Sequence, residues 1–191
     1  MLSYLTFLIL SLLLTNPCPY RVAGPNVRVE LDEEEYAVYS ALLNEKYIEG
    51  RTNFLIVVDQ TVAKPFLAKE LERDDLRQML SPVSPLTVAA FKGKNKGARA
   101  LKGALNLKVR YILLGNGEWG EFFGGDVIRG WEEFYRRNPG ATGYIRLSRV
   151  GINPNGDEAL VYVEWAAGQL AGQEIMCCSR REGRSGRSKK W

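Results

Sequence analysis

Two strand-forming runs joined by a tight turn restrict the fold more than any other feature of this chain. Residues 144–152 and 159–165 are rich in aromatic and β-branched side chains. Asn153-Pro154-Asn155-Gly156-Asp157 between them combines the residue types that reverse a backbone. A lone hairpin is marginal in water, so the rest of the chain must supply more strands and a helical layer. Immediately upstream, WEEFYRRNPGATG places Trp131, Phe134 and Tyr135 on one side of a short helix. Glu132, Glu133, Arg136 and Arg137 fall on the other side, and Pro139-Gly140 ends it. Three aromatics on one face indicate core packing ahead of a ligand pocket.

Earlier segments follow the same logic. Asp32 and Glu35 have capping-box spacing, and Tyr36, Tyr39, Leu43 and Tyr47 recur at helical intervals, which predicts a helix over 33–48. Phe54 to Val58 is a short run suited to a buried strand. Helices are expected over 65–80 and 86–101 and a brief strand over 111–114, ended by Gly115, Asn116 and Gly117, with glycines dominating from there to Gly130. The basic stretch KGKNKGARALKG (92–103) lacks the Gly-Lys-Ser/Thr ending of a phosphate loop and reads as a solvated helix surface. With 191 residues, the chain predicts one α+β domain over 27–173, an antiparallel C-terminal β-meander with helices packed on one face.

The N-terminus has its own character. Met1 to Thr15 is apolar and uncharged, and Asn16, Pro17, Cys18 and Pro19 then break any helix. The run is short of the roughly 20 apolar residues of a spanning helix, so residues 1–24 are expected to be a signal peptide or an N-terminal membrane anchor. Val22-Ala23-Gly24 is the best cleavage site, and the mature chain is placed outside the cytoplasm. Three cysteines, two of them the adjacent Cys177 and Cys178, form no disulfide framework. Histidine is absent, which removes Ser-His and Cys-His nucleophiles and nearly every catalytic zinc site. No metal or cofactor is expected. The remaining partners are an envelope protein or a small ligand, with membrane contact only through the N-terminal segment and the chain a monomer.

Beyond Gly172 the texture changes. Residues 174–191 carry six basic and two acidic side chains, a net +4 that equals the formal charge of the whole chain and leaves 1–173 neutral. Reading from the last base of each codon, Met176-Cys177 becomes Val and Cys177-Cys178 becomes Leu. Glu174-Ile175 becomes Asn or Asp, Ile175-Met176 can become Tyr, and Cys178-Ser179 can become Leu. The shifted frame thus writes a Gly-Asn-Tyr-Val-Leu-Leu strand, the neighbour that a two-stranded hairpin lacks. We read 174–191 as a basic tail translated out of frame.

The block from Trp131 to Gly172, centred on LSRVGINPNGDEALVYV, resembles a group of exported bacterial proteins of uncharacterised function. In that group a Trp-x-x-Phe-Tyr helix precedes a Leu-Ser-Arg-Val-Gly strand and an Ala-Leu-Val-Tyr-Val strand. The YAVYSALLNEKY helix is similar to the same group. The resemblance implies export and an α+β domain, places Gly-x-Tyr-Val-Leu-Leu where the tail stands, and transfers no catalytic residue.

Three functions compete. The first is a non-enzymatic binding or structural module of the cell envelope, with Ser148, Arg149, Asn153, Trp131 and Tyr135 as candidate ligand contacts. Trp119, Phe122, Phe123 and Trp165, near glycines, are further candidate pocket walls. The structural alternative is that Gly151 and Asn153 serve a strand end and Arg149 pairs with a helix carboxylate. The second is a carboxylate-based hydrolase using Asp126, Glu132 and Glu133 with Tyr135 and Arg149. The third is nucleic-acid binding through the arginine-rich tail, which export and the neutral remainder disfavour.

Overall fold

A computed structural model describes residues 31–48, 54–63 and 82–181. The expected helix over 65–80 and the N-terminal segment lie outside these residues. The sheet is organised around β1 (Phe54–Val58), whose five residues are all buried. On one side it pairs in parallel with β2 (Arg110–Leu114), from Phe54↔Arg110 to Val58↔Leu114. On the other side it pairs in parallel with β3 (Tyr144–Leu147) through Val57↔Ile145. A run buried on both faces is what a central parallel strand requires, and the sequence FLIVV has no polar residue to expose.

β3 and the two-residue β4 (Gly151–Ile152) both pair antiparallel with β5 (Glu158–Ala166). The opposite edge of β5 carries β6 (Gly172–Arg180) over its whole length. The architecture is therefore α+β, with a mixed six-stranded sheet and antiparallel C-terminal strands. Residues 174–180, assigned from the sequence to a tail, are part of β6. None of its residues is buried, although β5 beside it is buried from Glu158 to Val163.

Among the described residues, four helices lie against both faces of this sheet, not the single face expected. α1 (Glu33–Lys46) packs Val38, Tyr39, Leu42 and Leu43 on the face made by Leu55, Val57, Ile145, Leu147, Val161 and Val163. α2 (Pro85–Lys94) packs Phe91 on Leu160 and Tyr162 of the other face. α3 (Asn116–Phe123) and α4 (Val127–Arg137) cover Phe54, Ile56, Val58 and Tyr144 of that second face with Phe122, Trp131 and Phe134. Two-sided burial follows from the alternation of β1, which sends apolar residues both ways. Each fully buried large side chain contributes about 1.5–3 kcal/mol.

Local chemistry explains the other departures from expectation. The glycine-rich segment after β2 is largely helical, because Trp119, Phe122 and Phe123 at near-helical spacing gain a sheet to pack on, and burial outweighs glycine's weak helix propensity. α2 stops at Lys94 instead of continuing to residue 101. Asn95 takes the cap position and Ala100 bridges to Gln60. Asp32 is the N-cap residue of α1, but its carboxylate bonds Lys94 and caps no backbone N–H. Glu35 likewise turns inward.

Candidate functional site

Ser148 and Arg149 occupy a β-bulge. Leu147 faces Val163 and Gly151 faces Leu160, so the β3–β4 side spends one residue more than β5. A bulge leaves backbone groups without ladder partners, and here side chains supply them. The Ser148 hydroxyl accepts from the Tyr162 N–H at 2.9 Å and donates to the Arg149 carbonyl at 3.0 Å. Tyr39 donates to the Ser148 carbonyl at 2.7 Å, and burial pushes its phenol pKa well up. Asn95 receives the Arg149 N–H at 2.8 Å and donates to its carbonyl at 2.9 Å.

Beneath the bulge lies a buried charge cluster. Glu35, with no exposed surface, accepts from the Arg149 guanidinium, the Val150 N–H at 3.1 Å and Lys94 Nζ at 2.9 Å. Arg149 thus pairs with a helix carboxylate, the structural alternative raised from sequence. Asn153 is also structural: its Oδ1 accepts from the Asp157 and Glu158 N–H groups, closing the turn in which Gly156 takes φ +67°. Trp131 is buried among Phe123, Phe134, Tyr135 and Tyr144. Tyr135, half-buried, donates to the Ala167 carbonyl at 2.8 Å. The five sequence-selected residues therefore do not converge on one site.

The three carboxylates of the hydrolase reading lie at the start and on the outside of α4, away from Arg149. Asp126 caps that helix, accepting from Ile128 and Arg129 N–H. Glu133 accepts from Arg136 and Arg137, whose hydrogen bonds hold its carboxyl down at about 2. Glu132 is exposed. Asp126 and Glu133 share a shallow groove of about 300 Å³ with Glu121, Arg129 and Arg137, but a proton donor needs a raised pKa and Glu133 has a lowered one. At the start of the basic tail, Arg180 binds Glu158 at 3.2 Å and Arg181 binds Glu34 at 3.4 Å; residues 182–191 lie outside the described chain. The basic stretch 92–103, which begins in the last turn of α2, is partly consumed by the Lys94 bridge to Asp32 and Glu35.

A further polar group on the sheet makes an ion pair and a ring contact but no hydrogen bond among the described residues. Arg146 sits in the middle of β3 on the face shared with α3, with only 18% of its side chain exposed. Its guanidinium lies 4.3 Å above the Trp119 ring, and Nη1 is 3.7 Å from Glu164 Oε2, the residue directly opposite on β5. Among the described residues it donates no hydrogen bond, and its Nε is buried without an acceptor. A guanidinium nitrogen held out of water without an acceptor is costly, and such a group asks for a reason beyond packing. Tyr144 flanks the patch, edge-on to Trp119 with centroids 6.0 Å apart, its phenol pKa raised chiefly by burial.

Sequence reasoning named Trp119 and passed over Arg146 and Glu164. The signal that could have found them was a charge at alternate positions of two apolar strands, YIRL and VYVEW, which pair across the sheet once the register is fixed. Among the described residues, no group of three or more acidic or cysteine side chains could hold a metal ion, and no helix is long and apolar enough to cross a membrane. No protein-family model, curated protein sequence or solved structure matches the chain.

Proposed function

We propose that the protein is an exported, non-enzymatic binding module of the bacterial cell envelope, and that it takes a small ligand at the Arg146–Trp119–Glu164 patch. The observation that carries this reading is the Arg146 guanidinium, inserted into the sheet without a hydrogen bond among the described residues. An ion pair at 3.7 Å between two mostly buried side chains contributes little to stability, since desolvation offsets its attraction, so the pair is weak evidence for a purely structural role. The apolar N-terminal run supports export.

A binding role also has more support than the hydrolase. Among the described residues, the two carboxylates whose pKa moves, Glu133 and Glu158, both move down, and Tyr39, Tyr47, Tyr135, Tyr144 and Tyr162 all move up, away from the neutral range that acid–base chemistry uses.

The test is a thermal-shift screen of the full chain against small anions, amines and amino acids, run in parallel on Arg146→Met with its fold checked by circular dichroism. Compounds that raise Tm in the parent and leave the folded variant unmoved are expected. A screen in which every stabilising compound acts equally on both proteins contradicts the reading.

A further inference from the structure

We infer that the ligand of this patch is a zwitterionic small molecule of the amino-acid type, its carboxylate received by Arg146 and its ammonium by Glu164; the inference rests on the reading of the patch as a binding site. Opposite charges face each other across β3 and β5 at a separation too long for a hydrogen bond. The pair attracts both ends of a zwitterion, whereas an ion of either sign is attracted by one member and repelled by the other. A phosphate drawn to Arg146 would stand against Glu164, and also against Glu174, which the β5–β6 register sets directly opposite Glu164. A plain amine drawn to Glu164 would meet Arg146.

Donor and acceptor capacity fits. A guanidinium presents a planar fork that matches a carboxylate, and none of its five donors is committed to a hydrogen bond among the described residues. A carboxylate has about four lone-pair positions, so Glu164 can take an ammonium while keeping its present contacts. The partly exposed Trp119 ring, stacked under Arg146, offers an apolar surface for a side chain, and the buried Tyr144 backs it. The Tyr144 and Tyr162 phenols, both raised with burial the largest cause, stay neutral and add no charge beside the Arg146–Glu164 pair.

Calorimetric titration of the full chain with the twenty protein amino acids singly tests this. The tightest is then compared with its decarboxylated amine and its deaminated acid. Both counterparts are expected to bind at least about tenfold more weakly, a difference of roughly 1.4 kcal/mol. In Arg146→Met the amine should lose its disadvantage, and in Glu164→Gln the acid should lose its own. If the deaminated acid binds as tightly as the amino acid, the zwitterion inference is overturned while the patch remains a binding site. It is overturned in the same way if no amino acid binds but other compounds from the thermal screen still protect the parent and spare Arg146→Met. If neither class acts through Arg146, both the inference and the binding reading fall.

Discussion

Removal of the Glu35 carboxylate should be the most damaging single change in the described chain. Glu35 is fully buried and receives Arg149, Lys94 and the Val150 N–H, while Arg149 is 7% exposed. In Glu35→Ala the guanidinium keeps its burial and loses its carboxylate partner, and the Val150 N–H loses its acceptor. Breaking a buried pair from one side costs about 3–5 kcal/mol, and against a typical total of about 5–15 kcal/mol this is a large share. At about 2–4 °C per kcal/mol for a chain of this size, Tm should fall by roughly 6–20 °C. The reverse change, Arg149→Met, should cost less, about 2 kcal/mol, because Glu35 retains Lys94 and Val150. Urea denaturation of parent, both single variants and Glu35→Ala/Arg149→Met gives the cycle, and the double variant should lose less than the sum of the singles. A Glu35→Ala cost below about 1 kcal/mol, or strict additivity, would refute the argument that the bulge depends on this cluster.

Three further outcomes are expected. Gly151→Ala places a Cβ against the Phe91 backbone of α2, so it should destabilise by about 1–3 kcal/mol, whereas Gly117→Ala, with open space around it, should not; chemical denaturation compares them. Burial opposes ionisation of Glu158, but donors from Thr87, Ser84 and Arg180 outweigh it and hold its carboxyl below the ordinary value of 4.5. Its stabilising contribution is therefore complete above about pH 4.5 and lost as pH falls through the folded-state value, so Glu158→Gln should show a shallower acid loss than the parent; parallel curves contradict this. Sequencing the gene across the codons for residues 165–191 is expected to restore one base near Gln173 and write Tyr-Val-Leu-Leu into β6. That chain should unfold at higher urea than the present one, and an unchanged gene sequence removes the reading.

What the sequence disclosed was local. The hairpin, α1, β1 and the aromatic face of α4 follow from periodicity and turn chemistry within a dozen residues. What it hid depended on contacts far apart in the chain. The 111–114 run carries no sign that β2 lies parallel beside β1, and the glycines of 115–130 conceal a helix that exists because Phe122 and Phe123 find Trp131, Phe134 and Tyr144. Ser148 and Arg149 stand out as polar residues in an apolar strand. That signal is genuine, but its cause is a bulge whose partners, Glu35 and Asn95, lie 114 and 54 residues away from Arg149. Arg146, two residues earlier than Ser148, gives the same signal in one dimension. Only the register with Glu164 and the stack on Trp119 separate it from its neighbour.

That separation can be measured directly by comparing the unfolding free energies of Arg146→Met and Arg149→Met in the same buffer. Arg146 has no hydrogen bond among the described residues to lose and methionine can keep the contact with Trp119, so Arg146→Met should cost no more than about 1 kcal/mol, for the weak 3.7 Å ion pair with Glu164, while Arg149→Met loses about 2 kcal/mol. An Arg146→Met loss equal to or greater than that of Arg149→Met would make Arg146 a structural residue and contradict its assignment to a ligand.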